Sequence, residues 1–200
     1  MTSSRRRSGF TLAEVAVSAA IIALLAAVTM PSLSTFLDHQ RVQATADKLE
    51  ALGVGVAAFA GAVRSSAATT STVYPGLISE LSNQITLNSS ASHNSCGTTG
   101  TFNATATANW ASNGPFVSFY VPAGGLKTPM GMVSDSMVRN PTTATAGTLS
   151  LRILSADTAD ANMLDLAVDG GDGPSAGTVR YTISAARADV SYLLPIGAKC

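Results

Sequence analysis

Five aspartates, Asp157, Asp160, Asp165, Asp169 and Asp172, fall within 16 residues that contain no Lys or Arg. Clustered carboxylates supply the hard oxygen donors that hold Ca²⁺. The EF-hand spacing and its terminal Glu are absent, and Asp-Gly steps also serve turns and caps for purely local reasons. Turn chemistry is therefore the plainer reading, with Asp165, Asp169 and Asp172 as the calcium candidates beside it. The other reactive side chains are scattered. His39 and His93 have no nearby nucleophile or metal-spaced partner. Gly53-Val54-Gly55 does not open a phosphate-binding turn after a strand. Cys96 and Cys200 fit neither a CxxC pair nor a four-ligand zinc site. The expectation is a protein that is not an enzyme and needs no cofactor, calcium apart.

The remaining acid of note is Glu14, at the mouth of an apolar run. Residues 15–37, 23 in all, contain no Lys, Arg, Asp or Glu. That is about the ~20 residues needed to cross a bilayer as a helix, and longer than the usual core of a cleaved signal peptide. A carboxylate at a membrane's edge is unfavourable unless it has a task. Arg5, Arg6 and Arg7 precede the run and hold the leader in the cytoplasm by the positive-inside rule. Charged residues make up 12% of the chain, against the usual ~25%, and the deficit is concentrated in this run. Without the three arginines, nine basic side chains face twelve acidic ones, a net charge of −3 for a chain starting at Phe10. A mildly acidic body offers no electrostatic footprint for nucleic acid.

Gly9-Phe10-Thr11-Leu12-Ala13-Glu14, with the basic leader before it and the spanning run behind, resembles the processing site of type IV pilins and type II secretion pseudopilins. The resemblance implies cleavage by a prepilin peptidase between Gly9 and Phe10, followed by N-methylation of Phe10. It implies that Glu14 pairs with the terminal amine of a neighbouring subunit. Pro31 stands where that family's helix is kinked; the alternative is that Pro31 ends the spanning helix. Ala13 and Val15 replace larger aliphatic residues common in the family, but keep the apolar character. Cys96 and Cys200 stand in place of the family's C-terminal disulfide loop. Such a bond would close a loop of ~100 residues and add about 4–5 kcal/mol in an oxidising compartment; two unrelated thiols are the alternative.

These residues need a scaffold. Val42, Thr45, Leu49, Leu52, Val56, Phe59 and Val63 recur at spacings of three and four, with Arg41, Gln43, Asp47, Lys48 and Glu50 between them. This is an amphipathic helix continuing the apolar one, with Gly53 and Gly55 each weakening it by about 1 kcal/mol. Residues 65–112 read as a long, mostly irregular connection hiding some short helix or strand. Strands are expected at 116–121, 130–138, 148–154 and 178–183, with an edge piece at 192–194. Met163, Leu164, Ala167 and Val168 suggest a short helix ending at Gly170 or Gly171. The fold class is α+β: a long N-terminal helix packed on an antiparallel sheet, similar to the pilin head. The division is a leader at 1–9, a transmembrane and assembly helix at 10–37, its amphipathic continuation at 38–63, and a globular head at 64–200.

The functional expectation is a filament subunit of a type IV pilus or a type II secretion pseudopilus, of minor-pilin type. Its implied partners are other pilin-like subunits, the prepilin peptidase and an inner-membrane assembly platform. Its place would be the bacterial inner membrane, crossed once, with the head in the periplasm before assembly. A different class is a filament-tip binding subunit for adhesion, DNA uptake or a secreted substrate.

Overall fold

The computed structural model describes residues 11–63, 72–88, 91–94, 99–140 and 147–196. The chain divides into two compact units, Met1–Gln40 and Arg41–Cys200. Helix α1, Leu12–Ala62, supplies all the regular structure described in the first unit and opens the second. It continues through Pro31, so that proline does not end it. Its early side chains are exposed; its later ones form the spine of the head.

In the second unit every member of the three-and-four stripe is buried: Val42, Thr45, Leu49, Leu52, Val56, Phe59 and Val63. Thr45 fits this apolar face because its hydroxyl donates to the Arg41 carbonyl one turn back, at 2.9 Å. Burying each Leu or Phe here contributes roughly 1.5–3 kcal/mol. Gly53 and Gly55 explain themselves by close approach. A Cβ at Gly55 would lie 2.6 Å from Val117 Cγ1, and one at Gly53 would lie 2.9 Å from Leu194 Cδ2. Both glycines give up helix propensity so that the helix can seat closely on its neighbours.

After α1 come β1 (Val73–Tyr74), a 3₁₀ turn (Ile78–Leu81), β2 (Ala91–Asn94), β3 (Thr99–Thr101) and α2 (Ala104–Asn113). Strands β1, β2 and β3 make a small antiparallel sheet, so the connection is more ordered than the composition suggests. Carboxylates fasten it. Glu80 accepts the Gly76 N–H at 3.0 Å, and Asp135 accepts the Ser79 N–H at 2.8 Å and its hydroxyl at 3.0 Å. Trp110 donates its indole N–H to the Glu80 carbonyl at 2.8 Å, and its ring meets Phe116 edge-on.

The main sheet follows: β4 (Leu126–Thr128), β5 (Gly131–Val133), β6 (Val138–Asn140), β7 (Gly147–Asp157), β8 (Val179–Ser184) and β9 (Arg187–Ile196), with α3 (Thr158–Asp169) between β7 and β8. The order is β4-β5-β7-β9-β8, and β6 pairs with a second stretch of β7. All described pairings are antiparallel. Leu149, Leu151 and Ile153 of β7 and Val190 of β9 are buried in the core, and alternation leaves the other face to polar residues such as Arg152 and Ser191. This is the expected α+β architecture.

Three strand expectations need correction: 130–138 is broken, holding β5 and only the first residue of β6. Residues 116–119 form bends and 120–121 are irregular, so 116–121 is not a strand. The Phe116 N–H goes to the Leu81 carbonyl, the Val121 N–H to the Ser82 hydroxyl, and the Val121 carbonyl accepts from Asn83. The end of the 3₁₀ turn and the two residues after it thus take the backbone groups a ladder would use. Phe116 packs edge-on against Phe59, and Val117 and Val121 are buried, so the aromatic and β-branched content reflects burial rather than pairing. Residues 192–194, expected at an edge, lie inside β9, which sits between β7 and β8. Pro195 is tolerated near the end of that strand, opposite Thr148.

Candidate functional site

In the first unit Glu14 sits in the opening turn of α1. Its Oε2 accepts the Thr11 N–H at 2.9 Å and the Thr11 hydroxyl at 3.0 Å, while the Thr11 hydroxyl accepts the Glu14 N–H at 3.3 Å. This reciprocal pair is a capping box, satisfying helix-terminal N–H groups within the subunit. Ser18 donates to the Glu14 carbonyl at 2.7 Å. Glu14 is therefore held at the helix start, and its carboxylate is solvent-exposed in the lone chain. Thr11 was not singled out by the sequence reading, although Thr-x-x-Glu ahead of an apolar run is the signal for it. Behind the box, Ile21, Ile22, Leu24, Leu25, Val28, Leu33 and Phe36 are all more than half exposed. Among the described residues this is the helix long and apolar enough to cross a membrane. Gly9 and Phe10 lie outside the described residues, as do Cys96 and Cys200, and for Pro31 the backbone alone is described.

The model of the prokaryotic N-terminal methylation motif matches residues 4–30. The stretch includes the three leader arginines, Gly9, Phe10 and Glu14, and most of the apolar run. Over that stretch the chain is similar to type IV pilin-like proteins. No curated protein and no solved structure matches the chain. The motif implies peptidase processing and assembly with other pilin subunits, and with the apolar helix it fits a protein anchored in the inner membrane. Pilin-like proteins are in general structural rather than enzymatic.

The acidic segment of the second unit divides by role. Asp157 caps α3, its Oδ1 accepting the Ala159 N–H at 2.9 Å. Asp160 is buried and pairs with Arg41 of α1 at 3.3 Å. Asp165, Asp169 and Asp172 come together where α3 ends and the chain turns into β8. The α3 cap is Gly170 in the left-handed conformation, as the helix-ending expectation had it. Asp165 is buried, Asp169 half-buried and Asp172 exposed. Local desolvation first, then the charges of Asp169 and Asp165, push the Asp172 carboxyl above its ordinary range although the residue as a whole is exposed. Of the histidines, His39 is exposed with Nδ1 2.8 Å from the Thr35 carbonyl, and His93 lies on β2 opposite Thr99.

Proposed function

We propose that this chain is a structural subunit of a type IV pilus or a type II secretion pseudopilus-like filament, cut after Gly9 and assembled through α1. The observation that carries the reading is the first part of α1, apolar on every side and exposed, with a single carboxylate at its start. A helix of that kind has two stable surroundings: lipid, or a bundle of like helices. In lipid Glu14 has Thr11 as its partner within the chain. In a bundle a cationic N-terminal amine from a neighbour would lie in a medium of low dielectric, where pairing compensates a charge that would otherwise be costly to bury. The capping box holds the carboxylate at the helix start, oriented before any neighbour arrives. Assembly then exchanges solvent or headgroup contacts for an ion pair, and brings apolar helices side by side.

The test is Glu14→Val in the producing cell, with processing followed by mobility and incorporation by the amount of subunit in sheared filaments. Processing should persist and incorporation should fall severalfold or more. Wild-type incorporation of the variant would contradict the assembly role of Glu14.

A further inference from the structure

On the face of the main sheet turned away from the core, strand register sets two arginines about one serine. Arg152 of β7 stands opposite Ser191 of β9, and Ser191 stands opposite Arg180 of β8. Residues directly opposite on neighbouring strands share a face, so the three form one row, with the arginines two strand spacings, about 10 Å, apart at the backbone. The row lines a groove of about 470 Å³ whose walls include Ser150, Val138 and Leu193. Arg152 and Ser191 are half-buried, and Arg180 is exposed. Among the described residues neither arginine forms an ion pair, and neither the Arg152 guanidinium nor the Ser191 hydroxyl has a hydrogen-bond partner. Arg180 engages only its Nε, with the Gly177 carbonyl at 3.4 Å. Asp189, an acid on the same face of β9, is turned to the Ser155 N–H at 3.0 Å. Arg139, 4% exposed at the groove's border, adds positive charge. Like charges gathered with no carboxylate between them repel one another, and an oxyanion seated in the groove offsets that repulsion.

We propose that Arg152, Ser191 and Arg180 form a binding site for a phosphate monoester. A guanidinium presents a planar fork that meets phosphate or carboxylate oxygens in pairs. A carboxylate has two oxygens and is satisfied by one fork. Two forks and a hydroxyl match instead a group with three terminal oxygens and nearly two negative charges, which is a phosphate monoester. Val138, 42% exposed, and Leu193 supply apolar walls for a neutral organic body beyond the phosphate. A nucleic acid fits less well, because a polyanion is held by a run of basic contacts along its backbone and this face offers one short row. The site is independent of how the subunit assembles.

The test titrates the full processed chain in detergent micelles, by calorimetry at constant ionic strength, with glycerophosphate, sodium acetate or a short single-stranded oligonucleotide. The expected result is one glycerophosphate per chain, with acetate weaker by about tenfold or more. Arg180→Gln, at an exposed position, should lower the glycerophosphate affinity by about tenfold or more, and Arg152→Gln likewise. If Arg152→Gln does not fold, Arg180→Gln alone decides. Arg187→Gln, exposed on β9 four residues before Ser191, should leave the affinity unchanged. Short-chain phosphatidic acid distinguishes the sources of the group. Binding stronger than that of glycerophosphate and lost in Arg180→Gln assigns a lipid-borne phosphate, equal or weaker binding assigns a soluble one, and both support the site. Absence of saturable heat with millimolar glycerophosphate would overturn the site. So would unchanged affinity in Arg180→Gln, or an equal loss in Arg187→Gln, which would mean diffuse charge in place of a built groove. Equal affinity for acetate, or tighter binding of the oligonucleotide, would overturn the phosphate monoester as its ligand.

Discussion

Ile22, Leu24 and Val28 are 66%, 70% and 77% exposed, whereas Leu49, Leu52 and Phe59, further along the same helix, are 0% exposed. The two stretches do not differ in having aliphatic side chains. They differ in what stands between them. The second interleaves Arg41, Gln43, Asp47, Lys48 and Glu50, which gives the helix one apolar face that the rest of the head can cover. The first has no polar face to turn outward, so no single layer of protein can bury it. A stripe specifies a fold within the chain; a helix apolar all round specifies an environment, either lipid or many neighbours. The pilin-like reading follows from that contrast as much as from the motif.

Substitutions matched across the two stretches sharpen it. Phe59→Ala removes a ring that meets Phe102 and Phe116 edge-on at 5.8 and 5.3 Å, and should cost about 3–5 kcal/mol in denaturant unfolding of the head. Membrane retention should be unchanged. Leu24→Lys should do the reverse: insertion becomes less favourable by about 2.5–3.5 kcal/mol at mid-helix, read as loss from the membrane fraction, while the unfolding midpoint of the head stays put. If Leu24→Lys destabilised the head as much as Phe59→Ala, the contrast between the stretches would fail. A smaller effect is expected at Gly55→Ala. Better helix propensity favours the variant by nearly 1 kcal/mol, but the new methyl would meet Val117 at 2.6 Å and the Phe116 carbonyl at 3.1 Å. Overpacking of this kind costs about 1–3 kcal/mol, so a net loss of roughly 1 kcal/mol should appear in the unfolding midpoint. A gain in stability would mean that the helix can back away from residues 116–117.

How much of this was legible in the sequence depends on how far apart the determining groups lie. The α1 stripe could be read residue by residue, because helix periodicity is local and Val42 to Val63 record it directly. The helix ending at Gly170 was legible for the same reason, from a left-handed cap residue next to an amphipathic turn. Residues 116–121 were misread because their backbone partners, Leu81, Ser82 and Asn83, lie more than thirty residues away. No local pattern carries that information. The interior place of β9 was hidden likewise, since strand order is settled by pairing with β7 and β8 and not by composition. At the N-terminal site, Thr11 could have been found beside Glu14 from their spacing alone. In the acidic turn the three candidate aspartates could be chosen from the sequence, but the burial of Asp165 could not, because it depends on the sheet behind α3.

The account rests most heavily on a cut ahead of an apolar helix that the mature protein keeps. The direct measurement is the intact mass, with N-terminal sequencing, of the chain recovered from the membrane or filament fraction of the producing cell. The predicted result is a chain that begins at N-methylated Phe10 and retains Glu14 and residues 15–37. A chain that begins after the apolar run, as a secretory signal peptide would leave it, or that still begins at Met1, would contradict the account.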